Sequence, residues 1–405
     1  MSPIATQAPS SHLSRRAGCA LFERGFRPFF LLAGGHAALF VPLWAGMATG
    51  FLYPPAWLAP SLWHAHEMVY GFAVAAAVGF LLTAVPVWTG VPPLRGARLA
   101  LLAALWVAAR IVLAAPVAVP PLLAAAVDLS LPCALLAALA GPLLRPEQRR
   151  NRVFLPVLAL LALAGVAFHV AAARQLPALG QRAGRVAVDA MCLLVVLVGG
   201  RIVPSFTQNA LSRLGSPLRV QGRPALDRVS LGSMWAVAAV DVLDLHGLWV
   251  ALPALASAAT LALRMLGWQS LATLRDPLLW SLHLGFAWLP LGLALRALAD
   301  LDLAVPQIAG LHAIGIGCFG SMILSVMSRV ALGHTGRPLE APHGIAFAYL
   351  AVSASALLRI ASTGWPSMRP ELLLASAAAF GAAFGVYLRI YAPFLWAPRV
   401  DGKSG

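Results

Sequence analysis

The sequence predicts an all-α protein: a polytopic transmembrane helix bundle of about twelve spans, with both termini on the cytoplasmic side. Hydrophobic residues make up 60% of the 405 residues and charged residues only 11%, whereas a soluble domain carries about a quarter charged residues. Apolar runs of about 20 residues, the length that crosses a bilayer as a helix, recur from Phe26 to Tyr391. Arginine and lysine cluster between alternate runs, as the positive-inside rule expects.

Taken in order, the apolar runs place the spans near residues 27–51, 63–87, 97–115, 119–144, 153–173, 184–204, 229–246, 248–268, 278–297, 304–330, 343–361 and 371–391. A polar tail, 1–24, precedes one membrane domain, 25–395, and a short tail, 396–405, follows it. The first tail lacks the apolar core and small-residue cleavage site of a removable signal peptide. The His-x-His-Glu segment of the second span has no counterpart in the eighth, so we expect no duplication of the two halves.

The net charge of +15 would suggest nucleic acid as the partner of a soluble protein. Here the assumed outside loops hold few of the basic residues, namely Arg174, Arg182, Arg185, Arg296 and Arg369. This asymmetry favours membrane insertion and contact with lipid headgroups. The lipid bilayer is therefore the expected partner and nucleic acid is not. The four cysteines are scattered and form no Cys-x-x-Cys pair, so we predict no disulfide.

The strongest site motif opens the second span, where His64, His66 and Glu67 precede a long apolar run. Ionisable groups inside a membrane are costly unless they are paired, solvated or metal-bound, and imidazole is the commonest metal ligand. With Ser61 as the expected N-cap, helix geometry puts His64 and Glu67 on one face and His66 and Tyr70 on another. The segment could therefore serve two sites, or one site and the groups that support it.

Three further histidines lie within spans, and depth sorts the candidates into two layers. His64, His66, Glu67 and His312 would form an outer layer, and His36 and His283 an inner one. Imidazole suits zinc, copper and iron, including haem. A set of hydrogen bonds between helices is the alternative. The remaining histidines, at positions 12, 169, 246, 334 and 343, are interpreted as interfacial.

Charged residues elsewhere add two kinds of candidate. Asp128 falls within a span and needs a partner, for which Arg110 is the candidate, or it acts in a proton path. Arg201 and Arg329 each lie near glycine and hydroxyl residues at a helix end, where they could bind an anion such as a haem propionate. Each could equally be a headgroup contact. In the tenth span Ala313, Gly317 and Ser321 form a smooth ridge that favours close helix packing or a flat cofactor.

Several motifs in the same order resemble the NnrS family of bacterial membrane proteins. They are GFRPFFLLAG at 25–34, WHAHEM at 63–68, GFLLTAVPVWTG at 79–90, GGRIVPSFT at 199–207 and RVALGHTGRP at 329–338. Val87 departs from the Asn of the family pattern. The resemblance covers about residues 22 to 395, nearly the whole chain.

The resemblance implies a multi-pass protein of the bacterial cytoplasmic (inner) membrane that contains haem and copper and acts in the response to nitric oxide and nitrosative stress, often beside denitrification. Nitric oxide or a nitrosyl species is the implied ligand. The reaction, if any, and the redox partner stay open. The candidate iron or copper ligands are His36, His64, His66, His283 and His312, with Glu67 in support. Two alternatives stay open as well: a transporter that uses the histidines as a transient or proton-coupled site, and a sensor or assembly factor without turnover.

Overall fold

The computed structural model describes residues 20–53, 59–115, 117 and 119–402, and these form helices and turns without a strand. A helix lies over each of the twelve predicted segments. In chain order they are α1 Phe26–Ala48, α2 Pro60–Thr89, α3 Ala97–Leu113, α4 Pro121–Leu144, α5 Phe154–Arg174, α6 Pro177–Arg213, α7 Pro224–Val242, α8 Leu248–Leu266, α9 Pro277–Asp300, α10 Gln307–His334, α11 Ile345–Gly364 and α12 Arg369–Trp396.

Ten of these helices are long and apolar enough to cross a membrane. The exceptions are α3, which has 17 residues, and α7, which carries Asp227, Arg228 and Asp241. The structure therefore supports a multi-pass membrane protein. The predicted count of twelve spans exceeds the number of helices that meet both conditions of length and apolarity.

Proline starts many of the helices and glycine ends some of them. Pro60 is the first residue of α2, where its fixed φ suits the helix and its missing N–H costs nothing. The expected Ser61 N-cap is wrong, because the helix begins one residue earlier and Ala59 occupies the cap without a side-chain bond. At the other end Gly90 adopts a left-handed φ of 69° and closes α2.

The bundle closes on itself because α1 packs against both α2 and α12, while α9 packs against α6, α8, α10 and α11. Glycines permit the closest approach of α9 and α10. A Cβ atom on Gly310 would lie 2.8 Å from the Arg296 backbone nitrogen, and one on Gly317 would lie 2.4 Å from the Trp288 ring. The small-residue face of α10 therefore packs against α9.

Two helices, α2 and α10, share an unusual form. Each contains a π-helical segment, Glu67–Ala73 in α2 and Ala313–Gly320 in α10. The segment follows His66 in one helix and His312 in the other, and each histidine lies six positions after a proline, Pro60 or Pro306. A comparison of the two halves of the chain misses this likeness, because the counterpart of α2 is the tenth helix. π-Helical segments occur frequently at functional sites.

Candidate metal centre

Two histidines and one carboxylate meet between α2, α4 and α5. His66 Nε2 and His169 Nε2 each lie 3.0 Å from the same oxygen, Oδ2 of Asp128. All three residues are buried, and one ligand atom from each lies within 4.8 Å of the others. Because two imidazole nitrogens and an oxygen converge on one point, the group has a donor set that suits copper, zinc or iron.

Arg110 of α3 lies between the two buried carboxylates. Its guanidinium donates to Glu67 Oε1 at 2.8 Å and also to Asp128 Oδ1. The prediction that Arg110 partners Asp128 is therefore confirmed. Since the arginine occupies Oδ1, the other oxygen of Asp128 remains for the two histidines.

His36 of α1 joins the same cluster through Glu67, because its Nε2 lies 2.8 Å from Glu67 Oε2. The approach depends on Gly71, where a Cβ atom would lie 2.3 Å from His36 Nε2. The π-helical turn also presents the Gly71 carbonyl oxygen to Trp106 Nε1, which donates to it at 3.1 Å. His36 thus belongs with His66 and Glu67, and the expected assignment of His36 to a separate inner layer with His283 is wrong.

A small cavity of about 10 Å³ lies beside His66 between α2, α5 and α6. Its lining is apolar apart from His66 and Tyr70, and includes Ala65, Phe168 and Ala187. A cavity of this size has room for about one water-sized molecule, so it suits only a very small ligand. It lies against the His66 side of the cluster.

His64 points away from His66, as the helix geometry predicted. Its ring stacks on Trp44 of α1 with 4.4 Å between centroids. Its electrostatic neighbours are His312, Arg359 on α11, His36 and Glu67, and His312 is also a neighbour of Arg359. Buried Arg359 donates to Ser362 Oγ at 2.7 Å and forms no ion pair with a described residue. This second group, which we call the α2–α10 site, comprises His64, His312 and Arg359.

The α2–α10 site holds imidazole nitrogens that are not used by other protein groups. His312 uses Nδ1 to donate to the Ile308 carbonyl oxygen at 2.8 Å, which fixes the ring and leaves Nε2 as its other donor atom. His64 Nδ1 is buried and finds no hydrogen-bond partner among the described residues. His64 and His312 could therefore hold a metal-containing group such as haem, and Arg359 would supply a positive charge for an acidic substituent.

The other candidate residues lie elsewhere. His283 binds two hydroxyl groups, Thr207 Oγ1 and Ser270 Oγ, both at 2.9 Å, so a metal would have to displace one of them. Arg201 donates to Asn151 Oδ1 at 2.7 Å. The Arg329 guanidinium lies 4.4 Å from the centre of the Phe206 ring. Neither arginine lies at the cluster of His66 or at the α2–α10 site.

His169 is the residue that the sequence analysis missed, because it was interpreted as interfacial. Its ring is buried, and it lies five residues before the end of α5 at Arg174. His66 lies six residues after the start of α2. Comparing the positions of His66 and His169 relative to these helix ends would have predicted that the two residues lie at the same level.

Comparison with known proteins agrees with the motifs quoted above. The family model described as NnrS protein matches residues 20–399. No curated protein matches the chain. Since the matched region covers nearly all of the sequence, this chain is a member of the NnrS family.

Proposed function

We propose that this protein is a haem- and copper-binding protein of the bacterial inner membrane that acts in the nitric oxide response. The observation that carries the proposal is the buried convergence of His66, Asp128 and His169 in a member of the NnrS family. The role in nitric oxide metabolism or nitrosative stress comes from the family name. The cofactors are those that the family resemblance implies, and two separate sets of donor residues support them.

The two sites differ in the charge of the residues that surround them. The cluster of His66 carries two carboxylates and one arginine, so it favours a cation. In the α2–α10 site no carboxylate is hydrogen-bonded to His64 or His312 among the described residues, and Arg359 has a larger electrostatic effect on His64 than Glu67 has, so the site favours a group that carries acidic substituents. We therefore assign copper to His66, Asp128 and His169, and haem to His64 and His312.

The chain's own residues prepare the copper site. Arg110 holds Asp128 and Glu67 in place, and Tyr70 orients the ring of His66 by stacking on it at 4.6 Å between centroids. When bound, haem iron and copper would supply one-electron redox chemistry. The apolar pocket beside His66 fits nitric oxide, which is small, uncharged and soluble in lipid.

We further propose that α3 and α7 also cross the bilayer, which gives twelve spans with both termini in the cytoplasm. Both helices are buried on one side against neighbours, α3 against α4 and α7 against α6 and α8. The charges of α7 are compensated in part, since Asp241 accepts from Arg296 at 2.7 Å. A paired carboxylate at a helix end is tolerated in a membrane.

The decisive experiment is metal analysis with reduced-minus-oxidised absorption spectra on purified protein, wild type and single variants. His66→Ala, His169→Ala and Asp128→Asn should lose copper and keep haem. His64→Ala and His312→Ala should lose haem and keep copper. His283→Ala should keep both, because both of its ring nitrogens are engaged by hydroxyl groups.

Wild-type protein with neither metal above background would overturn the proposal. The histidines would then fit better a transporter that uses them as a transient site. Loss of both metals in every variant, including His283→Ala, would reflect unfolding. A thermal unfolding curve for each variant separates unfolding from loss of a ligand.

A further inference from the structure

A network of charged residues lies at the face of the bundle where α7 and α9 end. It comprises four aspartates and three arginines: Arg182, Arg185 and Asp189 of α6, Asp241 of α7, Asp244 just after that helix, and Arg296 and Asp300 of α9. Ion pairs connect all of them. We call this set the aspartate network. It shares no residue with the cluster of His66 or with the α2–α10 site.

The aspartate network runs from the interior of the bundle to its surface. The side chain of Asp189 is only 1% exposed and that of Asp241 only 3%, whereas that of Asp244 is 33% exposed. Arg296 contacts both buried carboxyl groups, and Arg185 joins Asp241 to Asp244. A proton that enters at Asp244 would therefore meet charged groups as far as Asp189.

Asp189 is the point at which the aspartate network lacks a hydrogen-bond donor. Arg296 Nη1 reaches Asp189 Oδ1 at 3.3 Å, but Oδ2 is buried and no described residue donates a hydrogen bond to it. The carboxyl group of Asp241 lies within hydrogen-bonding range of Asp189. Ionised carboxylates only accept hydrogen bonds, so two of them in contact need a proton or a cation between them.

The arginines do not supply the missing positive charge. Arg296 Nη2 donates to both oxygens of Asp241 at 2.7 Å. Arg185 donates to Asp241 Oδ1 at 3.3 Å and to Asp244 Oδ1 at 2.9 Å. Four carboxylates against three guanidinium groups leave the network one negative charge in excess, and an uncompensated charge in the interior is costly. One proton removes that excess.

A proton fits between Asp189 and Asp241 better than a metal ion does. The Arg296 guanidinium contacts both carboxyl groups, so a second cation placed there would be repelled at short range. A proton bonds to one carboxyl oxygen and leaves the arginine contacts in place. Two carboxyl groups that approach so closely do not both ionise readily, and they share a proton instead.

The other titratable groups nearby do not replace this proton. Cys192, one turn from Asp189 on α6, has a thiol that donates only weakly, and Cys318 of α10 lies beyond it. His246 is exposed and lies near Asp244, so its charge acts at the surface end of the network. The first half of α8, which packs against α7 and α9, contains no titratable residue.

We propose that Asp189 and Asp241 form a proton-binding site, in which the two carboxyl groups share one proton that exchanges with solvent at the Asp244 end of the aspartate network. Binding forms an O–H bond on one carboxyl group and a hydrogen bond to the other. Release leaves two adjacent carboxylates, one on α6 and one on α7, and their repulsion weakens the contact of the two helices. The site lies apart from both proposed metal sites, so it does not rest on the proposed function.

The shared proton links the stability of the protein to pH. Aspartate side chains in the unfolded chain release their protons at about pH 4, so at neutral pH the folded protein holds one proton more than the unfolded chain. Its stability should therefore fall as the pH rises through the range in which the site empties. Asp189→Asn should not show this fall, because its amide donates a hydrogen bond to Asp241 without a titratable proton.

The proton is detected by infrared difference spectroscopy of the full-length protein at neutral pH. The C=O stretching band of a neutral carboxylic acid lies apart from the bands of a carboxylate and shifts in D2O. Asp189→Asn should lose one such band. Asp241→Asn should lose it too, because Asp189 then accepts from the new amide and from Arg296. Asp227→Asn, at an exposed residue near the start of α7, is the control and should keep it.

Thermal unfolding of the wild type and of Asp189→Asn, from neutral to alkaline pH, measures the link to stability. The wild type should lose stability over this range and the variant should lose less. A neutral-acid band that both variants keep, or the same pH course in wild type and Asp189→Asn, would overturn the proposal.

A band that disappears when sodium chloride is added at constant pH would also overturn the proposal, because a cation would then occupy the site. Neither measurement needs a bound metal. If the wild-type protein binds no haem or copper and the variants still lose the band, the proposed function fails and the proton-binding site stands.

Discussion

At the scale of single residues, Gly71 decides whether the helices α1 and α2 can meet at the cluster of His66, Asp128 and Glu67. Its missing side chain lets His36 reach Glu67, and its carbonyl oxygen accepts from Trp106. The neighbouring Gly35 on α1 is different, because a Cβ atom there would meet nothing within 4 Å. The two glycines therefore form a matched pair for mutation.

Gly71→Ala should destabilise the protein by about 1–3 kcal/mol, the cost typical of overpacking, because the new methyl group would push His36 away from Glu67. Gly35→Ala should leave the unfolding temperature unchanged. Thermal unfolding in detergent measures both. Equal stability of the two variants would show that α1 can move away from α2 at little cost.

Arg110 is the residue whose loss should be most damaging. Arg110→Gln leaves Glu67 and Asp128 as buried carboxylates without a cation, and breaking a buried ion pair costs about 3–5 kcal/mol. Arg182→Gln removes a half-buried pair with Asp244 near the surface instead, and a surface pair is worth about 0–1 kcal/mol. Denaturant unfolding should therefore show a larger loss in the free energy of unfolding for Arg110→Gln than for Arg182→Gln. A small loss of similar size in both variants would contradict a structural role for Arg110.

At the scale of one helix, the π-helical segment of α2 sets the direction of its histidines. A π-helical turn holds about one residue more than a regular α-helical turn. Each extra residue rotates the helix before the segment by about 100° relative to the helix after it. His66 therefore faces Asp128 while Phe72, further along, packs edge-on against Phe384 of α12. A regular helix could not make both contacts.

Deletion of Met68 should convert the segment to a regular helix and turn His66 away from Asp128. We expect the helix content in circular dichroism to stay the same while copper is lost. Met68→Ala keeps the chain length and is the control, and it should retain copper. Copper retained in the deletion variant would show that the π-helical form is dispensable.

The sequence predicted those parts of the site that depend on one helix or on charge. The opposite faces of His64 and His66 follow from helical spacing, and the pairing of Arg110 with Asp128 follows from the cost of a charge in the membrane. The contact of His36 with Glu67 and the place of His169 depend on which helices are neighbours and on the π-helical turn. No local pattern encodes either, so both required the three-dimensional structure.

At the scale of the whole molecule, the sequence predicted the positions of the helices, since a helix lies over each apolar run. The number of helices that cross the bilayer was harder to predict. α3 and α7 are the uncertain helices because one is short and the other carries three charges. Their position in the membrane decides the side on which every later loop lies.

If both helices cross, the connections on either side of each must lie on opposite faces of the membrane. Single cysteines replacing Leu94 and Val117 flank α3, and those replacing Gly222 and Leu245 flank α7, in protein without native cysteines. A membrane-impermeant thiol reagent applied to intact spheroplasts should label positions 117 and 245 and leave 94 and 222 unlabelled. Labelling of both members of a pair would show that its helix does not cross.

The likeness of α2 and α10 extends to their neighbours. Thr89 and Gly90 end α2 as Thr335 and Gly336 end α10, and the helix that follows each carries one buried arginine, Arg110 or Arg359. Such a correspondence is what the duplication of a gene for four helices would leave, with eight helices between the start of one copy and that of the other.

The two segments differ in charge. Glu67 follows the histidine in the first, whereas Ala313 follows it in the second, and Arg359 is bonded to a serine hydroxyl in place of two carboxylates. An ancestor built from identical units would have had equivalent sites. The two acidic residues Glu67 and Asp128 are therefore what makes the surroundings of the two histidine groups unlike in charge.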